Sequence, residues 1–245
     1  VNFDDGAVLP PLLLGGSAVG ISRAWSLTLN TFAGGYLRLT DAAKGSHGAA
    51  VFAFPALYDA SGCSSPLGEC KYAVRAPIPT AHPRTFRMSF DLRLGSSIGF
   101  SLSYGFLAAG ANGSLGQLGE WGSGSGLRLR WHVPSATLSA VYAHRVLSSA
   151  ALPPSVTTYV ADASATAFKS VVITYQEAPI GLSVSHDGQT LLSNVAISAW
   201  RPRNSWQFGF GSRSAAAAHE MTGECAIDNL QLRAGSALGP EEAPL

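Results

Sequence analysis

In the segment Phe86-Arg87-Met88-Ser89-Phe90-Asp91-Leu92-Arg93-Leu94 every other residue is apolar and those between are polar. A chain that alternates in this way sends successive side chains to opposite faces of an extended strand, so one face is buried and the other is wet. Leu127-Arg128-Leu129-Arg130-Trp131-His132-Val133 repeats the pattern and is stopped by Pro134. Further strands are expected over residues 138–142, 170–175, 181–186, 191–197 and 206–210. Between two of them stands Asp187-Gly188, a two-residue hairpin signal. No stretch shows sustained helical periodicity with caps. So many short antiparallel strands specify two packed sheets, an all-β sandwich.

With 245 residues the chain is long for one domain, yet sandwiches often reach this size as a single unit, and one domain over residues 1–234 is expected. Residues 235–245, Gly-Ser-Ala-Leu-Gly-Pro-Glu-Glu-Ala-Pro-Leu, read as a linker or tail. Residues 1–16 carry neither a basic leader nor an initiator Met, as expected of a mature or excised fragment. Residues 94–119 have no charge, but the glycines spaced through them fit buried strands and turns, not a membrane-spanning helix.

Lys and Arg number 16 against 15 Asp and Glu, with no block of like charge along the chain, so the footprint of a nucleic-acid binder is missing. Only 13% of residues are charged, which favours a surface packed against neighbouring domains or proteins. Cys63 and Cys70 bracket a Pro/Gly-containing loop able to bring their sulfurs together; two free thiols in a reducing compartment are the alternative. Cys225 is left over and reads as a small buried residue. Asn112-Gly113-Ser114 is the one N-glycosylation sequon. Bridge and sequon together point outside the cell, at the cell surface or beyond it.

The stretch Trp206-Gln207-Phe208-Gly209-Phe210-Gly211-Ser212-Arg213-Ser214, then a loop ending in His219-Glu220, then Ile227-Asp228-Asn229-Leu230-Gln231-Leu232, reads strand, loop, strand. Phe208 and Phe210 place two rings on one face, and the alternating glycines leave the other bare. Together with Phe3-Asp4-Asp5 and Gly35-Tyr36-Leu37-Arg38-Leu39-Thr40, this stretch resembles the L-type, legume-lectin-like domains of the concanavalin A-like lectin/glucanase superfamily, nearly end to end. The resemblance implies a jelly-roll β-sandwich of two antiparallel sheets. Against that family, the Pro-rich residues 55–83 look like an insertion.

The superfamily includes retaining glucanases, whose acid and nucleophile sit at alternate positions on one strand. This chain has no Glu-x-Asp or Glu-x-Glu; Asp4-Asp5 and Glu241-Glu242 are adjacent pairs, and Glu120 stands alone in a turn. Gly122-Ser123-Gly124-Ser125-Gly126 is neither a nucleophile elbow nor a phosphate loop and reads as a turn into the Leu127 strand. A non-catalytic protein is expected.

In L-type lectins calcium is held by an Asp on one strand and by an Asp and a nearby Asn at the end of another. Matched to those motifs, Ile98 stands at the first Asp, His132 at the second, and Ala136 at the Asn. Calcium takes six to eight oxygens, so neither metal nor cofactor is expected. The loop Ser212-Arg213-Ser214-Ala215-Ala216-Ala217-Ala218-His219-Glu220 is expected to be the surviving recognition element, with Arg213, Ser214, His219 and Glu220 as ligand contacts. Stacking of a sugar on Trp121 or Trp131 is a second option, set against burial of Trp131 in the core. The function expected is a lectin-like module of a larger surface or matrix glycoprotein, serving adhesion or assembly through protein or weak glycan contacts. A metal-independent carbohydrate receptor is the rival, and a glycoside hydrolase with rearranged carboxylates a remoter one.

Overall fold

The computed structural model describes residues 12–16, 19–21, 36–40, 47–52, 85–94, 97–105, 122, 126–157, 168–177, 179–198, 200, 207–214 and 225–235. In chain order the strands begin with β1 (Leu12–Gly16), β2 (Val19–Ile21), β3 (Tyr36–Thr40), β4 (His47–Phe52), β5 (Thr85–Arg93) and β6 (Ser97–Gly105). They continue with β7 (Leu127–His132), β8 (Thr137–Tyr142) and β9 (Arg145–Ala151), then a single helical turn, α1 (Pro154–Thr157). The last are β10 (Lys169–Gln176), β11 (Gly181–His186), β12 (Gln189–Val195), β13 (Gln207–Ser214) and β14 (Cys225–Gly235). They form two seven-stranded antiparallel sheets, the two packed layers the alternation predicts and the jelly-roll sandwich the resemblance implies. Sheet A runs β1-β4-β13-β6-β7-β8-β9 and sheet B runs β12-β11-β10-β5-β14-β3-β2.

The alternating apolar residues fill the space between the sheets. On β5 these are Phe86, Met88, Phe90 and Leu92; opposite them stand Phe100, Leu102 and Tyr104 of β6, Leu127, Leu129 and Trp131 of β7, and Phe208 and Phe210 of β13. Aromatic rings span the gap. Phe208 stacks on Tyr104 at 4.2 Å between centroids and meets Phe86 edge-on at 5.3 Å, and Phe210 meets Phe90 edge-on at 5.5 Å. Such offset and edge contacts suit the quadrupole of the rings and add about 0.5–1.5 kcal/mol each beyond area burial. Trp131 lies in this core, fully buried, and donates its indole N–H to Nδ1 of the equally buried His186 of β11 at 3.3 Å. It offers no face to a sugar, which removes it from the stacking option.

Turn chemistry sets two registers. Asp187 and Gly188 have φ of 53° and 74°, the mirror-image turn that matches strand twist, so β11 and β12 pair as the Asp-Gly signal predicts. Ala143 and His144 adopt the same left-handed conformation, at 46° and 67°, and join β8 to β9 without any glycine to announce them. Strands β1, β2, β4 and β9 were not separately expected from the sequence. Cys225 is buried on β14, its backbone N–H donating to Oγ1 of Thr40 at 3.3 Å. Cys63, Cys70 and Asn112 lie outside the described residues.

Candidate functional site

The outer face of sheet A, turned away from sheet B, is organised in rows by the strand registers. The row at one end reads His47, Arg213, Gly99, His132, Thr137, Ala151 across β4, β13, β6, β7, β8 and β9. The next row inward reads Ala49, Gly211, Ser101, Arg130, Ser139, Ser149. A third reads Val51, Gly209, Ser103, Arg128, Val141, Val146. Glycine, alanine and serine therefore carpet the middle of the face, and basic side chains stand along it.

The third row is closed over. A Cβ placed on Gly122, whose φ is +67°, would lie 2.6 Å from Oγ of Ser103 and 3.4 Å from Cδ of Arg128, so the backbone at Gly122 rests on these two residues. Both are buried. Nη2 of Arg128 lies 3.4 Å from Nδ1 of His144, and its Nε has no hydrogen-bond partner. Burial holds this guanidinium below its ordinary range, and the charge of Arg130 lowers it further. Arg130 is itself lowered by burial. In the second row Ala49, Gly211 and Ser101 are buried as well; in the first, His47 and Arg213 are exposed, His132 is half-buried and Gly99 is buried.

At this open end the positions singled out by the lectin resemblance come together. Gly99 pairs with His132, so Ile98 and His132 stand on neighbouring strands one residue out of register, and Ala136 closes the turn that follows β7. That turn is internally tied. The Ala136 N–H donates to the Val133 carbonyl at 2.9 Å, and the Ala136 carbonyl accepts the Leu152 N–H at 2.8 Å. Nδ1 of His132 lies 2.6 Å from Oγ of Ser135, which lies 2.7 Å from Oγ1 of Thr137. A serine beside a histidine suggests a nucleophile and its base, but here the hydroxyl is shared with Thr137 on an exposed turn.

Arg213 and Ser214 are placed at this end too, though not on a loop as the sequence suggests. They extend β13, because β4 on one side and β6 on the other supply ladder partners as far as His47 and Ser97. Trp121, His219 and Glu220 lie outside the described residues. What sequence reasoning missed is His47 and Arg130, which join the site only through strand order; no local signal marks either. Among the described residues no three His, Cys, Asp or Glu side chains cluster as around a metal ion.

The two carboxylates that do face each other are elsewhere. Asp91 of β5 and Asp228 of β14 are cross-strand partners on the outer face of sheet B. The side-chain amide of Asn229, at φ 49°, donates to Asp91 Oδ2 at 2.8 Å, and its backbone N–H donates to Asp228 Oδ1 at 2.7 Å. The pair is bound into a bulge of its own strand ladder.

Comparison with solved structures places this architecture. The Emp47p carbohydrate recognition domain superposes with a TM-score of 0.58 at 13% identity, over 96% of this chain and 93% of that one. The VIP36 exoplasmic/lumenal domain in its Ca2+/Man3GlcNAc-bound form gives 0.56 at 12% identity, over 96% and 90%. The fold is that of an L-type lectin. The metal-free form of the VIP36 domain gives 0.51 at 13% identity. No protein-family model matches the chain, and no curated protein does.

Proposed function

We propose that this chain is a non-catalytic lectin-like module of an extracellular or lumenal protein, serving adhesion or assembly, and that it meets glycan at the open end of sheet A without calcium. The observation that carries the proposal is convergence. On a fold shared nearly end to end with carbohydrate recognition domains, Ile98, His132, Ala136 and Arg213 are gathered at one end of one sheet. The VIP36 domain is exoplasmic or lumenal and holds a mannose-containing glycan with calcium, which supports both the compartment and the ligand class proposed here.

Calcium does not fit this donor set. Ile98 and Ala136 have no side-chain oxygen, the Ala136 carbonyl already accepts an N–H, and an imidazole is a poor ligand for a hard cation. Hydrolysis is disfavoured as well, since the strands of sheet A contain no Asp or Glu from which an acid and nucleophile pair could be built. The test is a glycan array probed with the folded chain in the presence of calcium and again in a chelator. Binding to a defined glycan class that survives chelation and weakens in Arg213→Ala is expected; binding that needs calcium, or release of sugar from the array, would refute it.

A further inference from the structure

Arg128 stands on β7 in the third row of the outer face of sheet A, between Ser103 and Val141, and is only 8% exposed. Much of that burial falls on its stem. A Cβ on Gly122 would lie 3.4 Å from both Cδ and Cγ of Arg128, so the backbone there rests on the methylenes. The guanidinium runs on to the tip of the β8–β9 hairpin, where Nη2 donates to Nδ1 of His144 at 3.4 Å. Its Nε is buried and has no hydrogen-bond partner. No acid among the described residues answers the charge: the strands of sheet A contain neither Asp nor Glu, and the charge that bears on Arg128 is that of Arg130, of its own sign.

A guanidinium cannot shed its proton, so taking it out of water with no anion beside it is costly. Its one hydrogen bond among the described residues is long against the usual range of about 2.7–3.2 Å. The acceptor is also weak. Arginine only donates, so Nδ1 of His144 carries the lone pair and the ring is neutral. That ring belongs to an exposed residue in a two-residue turn, free to swing outward. We propose that Arg128 anchors an anion site in which His144 holds the place of the ligand. A small oxyanion, a carboxylate or sulfate, enters at the hairpin tip, displaces the imidazole and accepts from the guanidinium in its stead. The site lies apart from Arg213 and His132 and stands whether or not those residues meet glycan.

The chemistry favours a small oxyanion. The planar fork of Nε and Nη groups matches a carboxylate or sulfate through two parallel hydrogen bonds, and such charge-assisted bonds are about twice as strong as neutral ones. Because the guanidinium is mostly buried, salt screens it less than a surface charge. A polyanion, by contrast, is held by a row of cations. Beyond Arg128 in its own row stand Val141, buried, and Val146, 63% exposed, an apolar rim with no second charge.

The experiment is an NMR titration of the full chain, labelled with nitrogen-15, with sodium sulfate and with sodium acetate, ionic strength being held constant with sodium chloride. The signals followed are the Arg128 Nε–H and the His144 backbone N–H. Saturable shifts of both with at least one of the two anions are expected. Arg128→Met, which keeps a stem of similar length, is expected to weaken binding about ten-fold or more. His144→Ala removes the place-holder and is expected to tighten binding about three-fold. Lys169→Gln, which takes one positive charge from sheet B, is expected to change nothing. In sulfate-free buffer Arg128→Met should unfold at the same temperature as the parent or higher, since an unanswered charge has been replaced by an apolar group. Shifts that never saturate, or that chloride alone produces, would overturn the proposal, and so would equal loss in Lys169→Gln, which would reduce the site to diffuse charge. Weaker binding in His144→Ala would make the imidazole a ligand and not a place-holder, and earlier unfolding of Arg128→Met would show the guanidinium already satisfied in the fold; each result overturns it too.

Discussion

Sheets A and B share one core and an equal number of strands, yet their outer faces are built on opposite plans. Sheet B carries charges of both signs. Asp91 and Asp228 are tied by Asn229, Lys169 reaches Asp187 at 3.1 Å, and the Arg93 guanidinium lies 4.8 Å above the ring of Phe168. Sheet A has cations and small residues but no acid in its strands. The comparison teaches that a sandwich constrains only its inner faces: packing dictates every second residue, and the others are left to solubility or to ligands. A net charge of +1 conceals the contrast, because balance over a whole chain says nothing of balance over one face.

The comparison breaks hardest in the shared core. Trp131→Ala removes the largest fully buried side chain among the described residues and strands Nδ1 of His186, so a loss of about 3–5 kcal/mol in urea denaturation is expected. A loss below about 1 kcal/mol would mean that the two sheets are not joined through this residue.

Acidification acts on the same contact from the sheet B side. Burial drives His186 down to about 4 from 6.5, outweighing the nearby Asp187 charge, which raises it, and the Lys169 charge, which lowers it. Its folded form is therefore neutral while the unfolded form takes up a proton, and stability is lost as pH falls from about 6.5 toward 4, by about 3 kcal/mol in all. The geometry agrees, since an imidazolium cannot accept the Trp131 N–H. Denaturation midpoints across this range should flatten in His186→Gln; an unchanged slope would assign the pH dependence to other groups.

Smaller effects separate the outer faces. Asn229→Ala loses the amide bond to Asp91 and places a Cβ residue without a polar tip in the left-handed region, at a cost of about 1–2 kcal/mol by thermal or urea denaturation. Arg213→Glu on sheet A should stay within about 0.5 kcal/mol. If the Arg213 change proved the more destabilising of the two, Arg213 would be shown to hold the fold more firmly than Asn229 does.

The sandwich was legible because period two is a local property: β5, β7, β8, β10, β11 and β12 can each be read within a few residues, and Asp187-Gly188 names its own turn. The β8–β9 hairpin was not, since Ala143 and His144 take left-handed conformations without the glycine or asparagine that signals them. The candidate site was legible only in part. Arg213 and His132 stand in motifs, but His47 joins them only because β4 pairs with β13, and no run of like charge marks a patch assembled from separate strands. Ser212-Arg213-Ser214 looks like loop for the same reason, as its strand character comes from neighbours far away in the chain.

The strand order also bears on how such a chain is made. Both late strands sit in the interior of their sheets, β13 between β4 and β6, and β14 between β5 and β3. Contacts such as Cys225 to Thr40 close over 185 residues. A chain emerging from the ribosome thus holds two split sheets with unpaired edges until its last described strands arrive, and topologies dominated by such distant pairings fold slowly. Pairing in the interior of both layers thus waits for the last two described strands, β13 and β14.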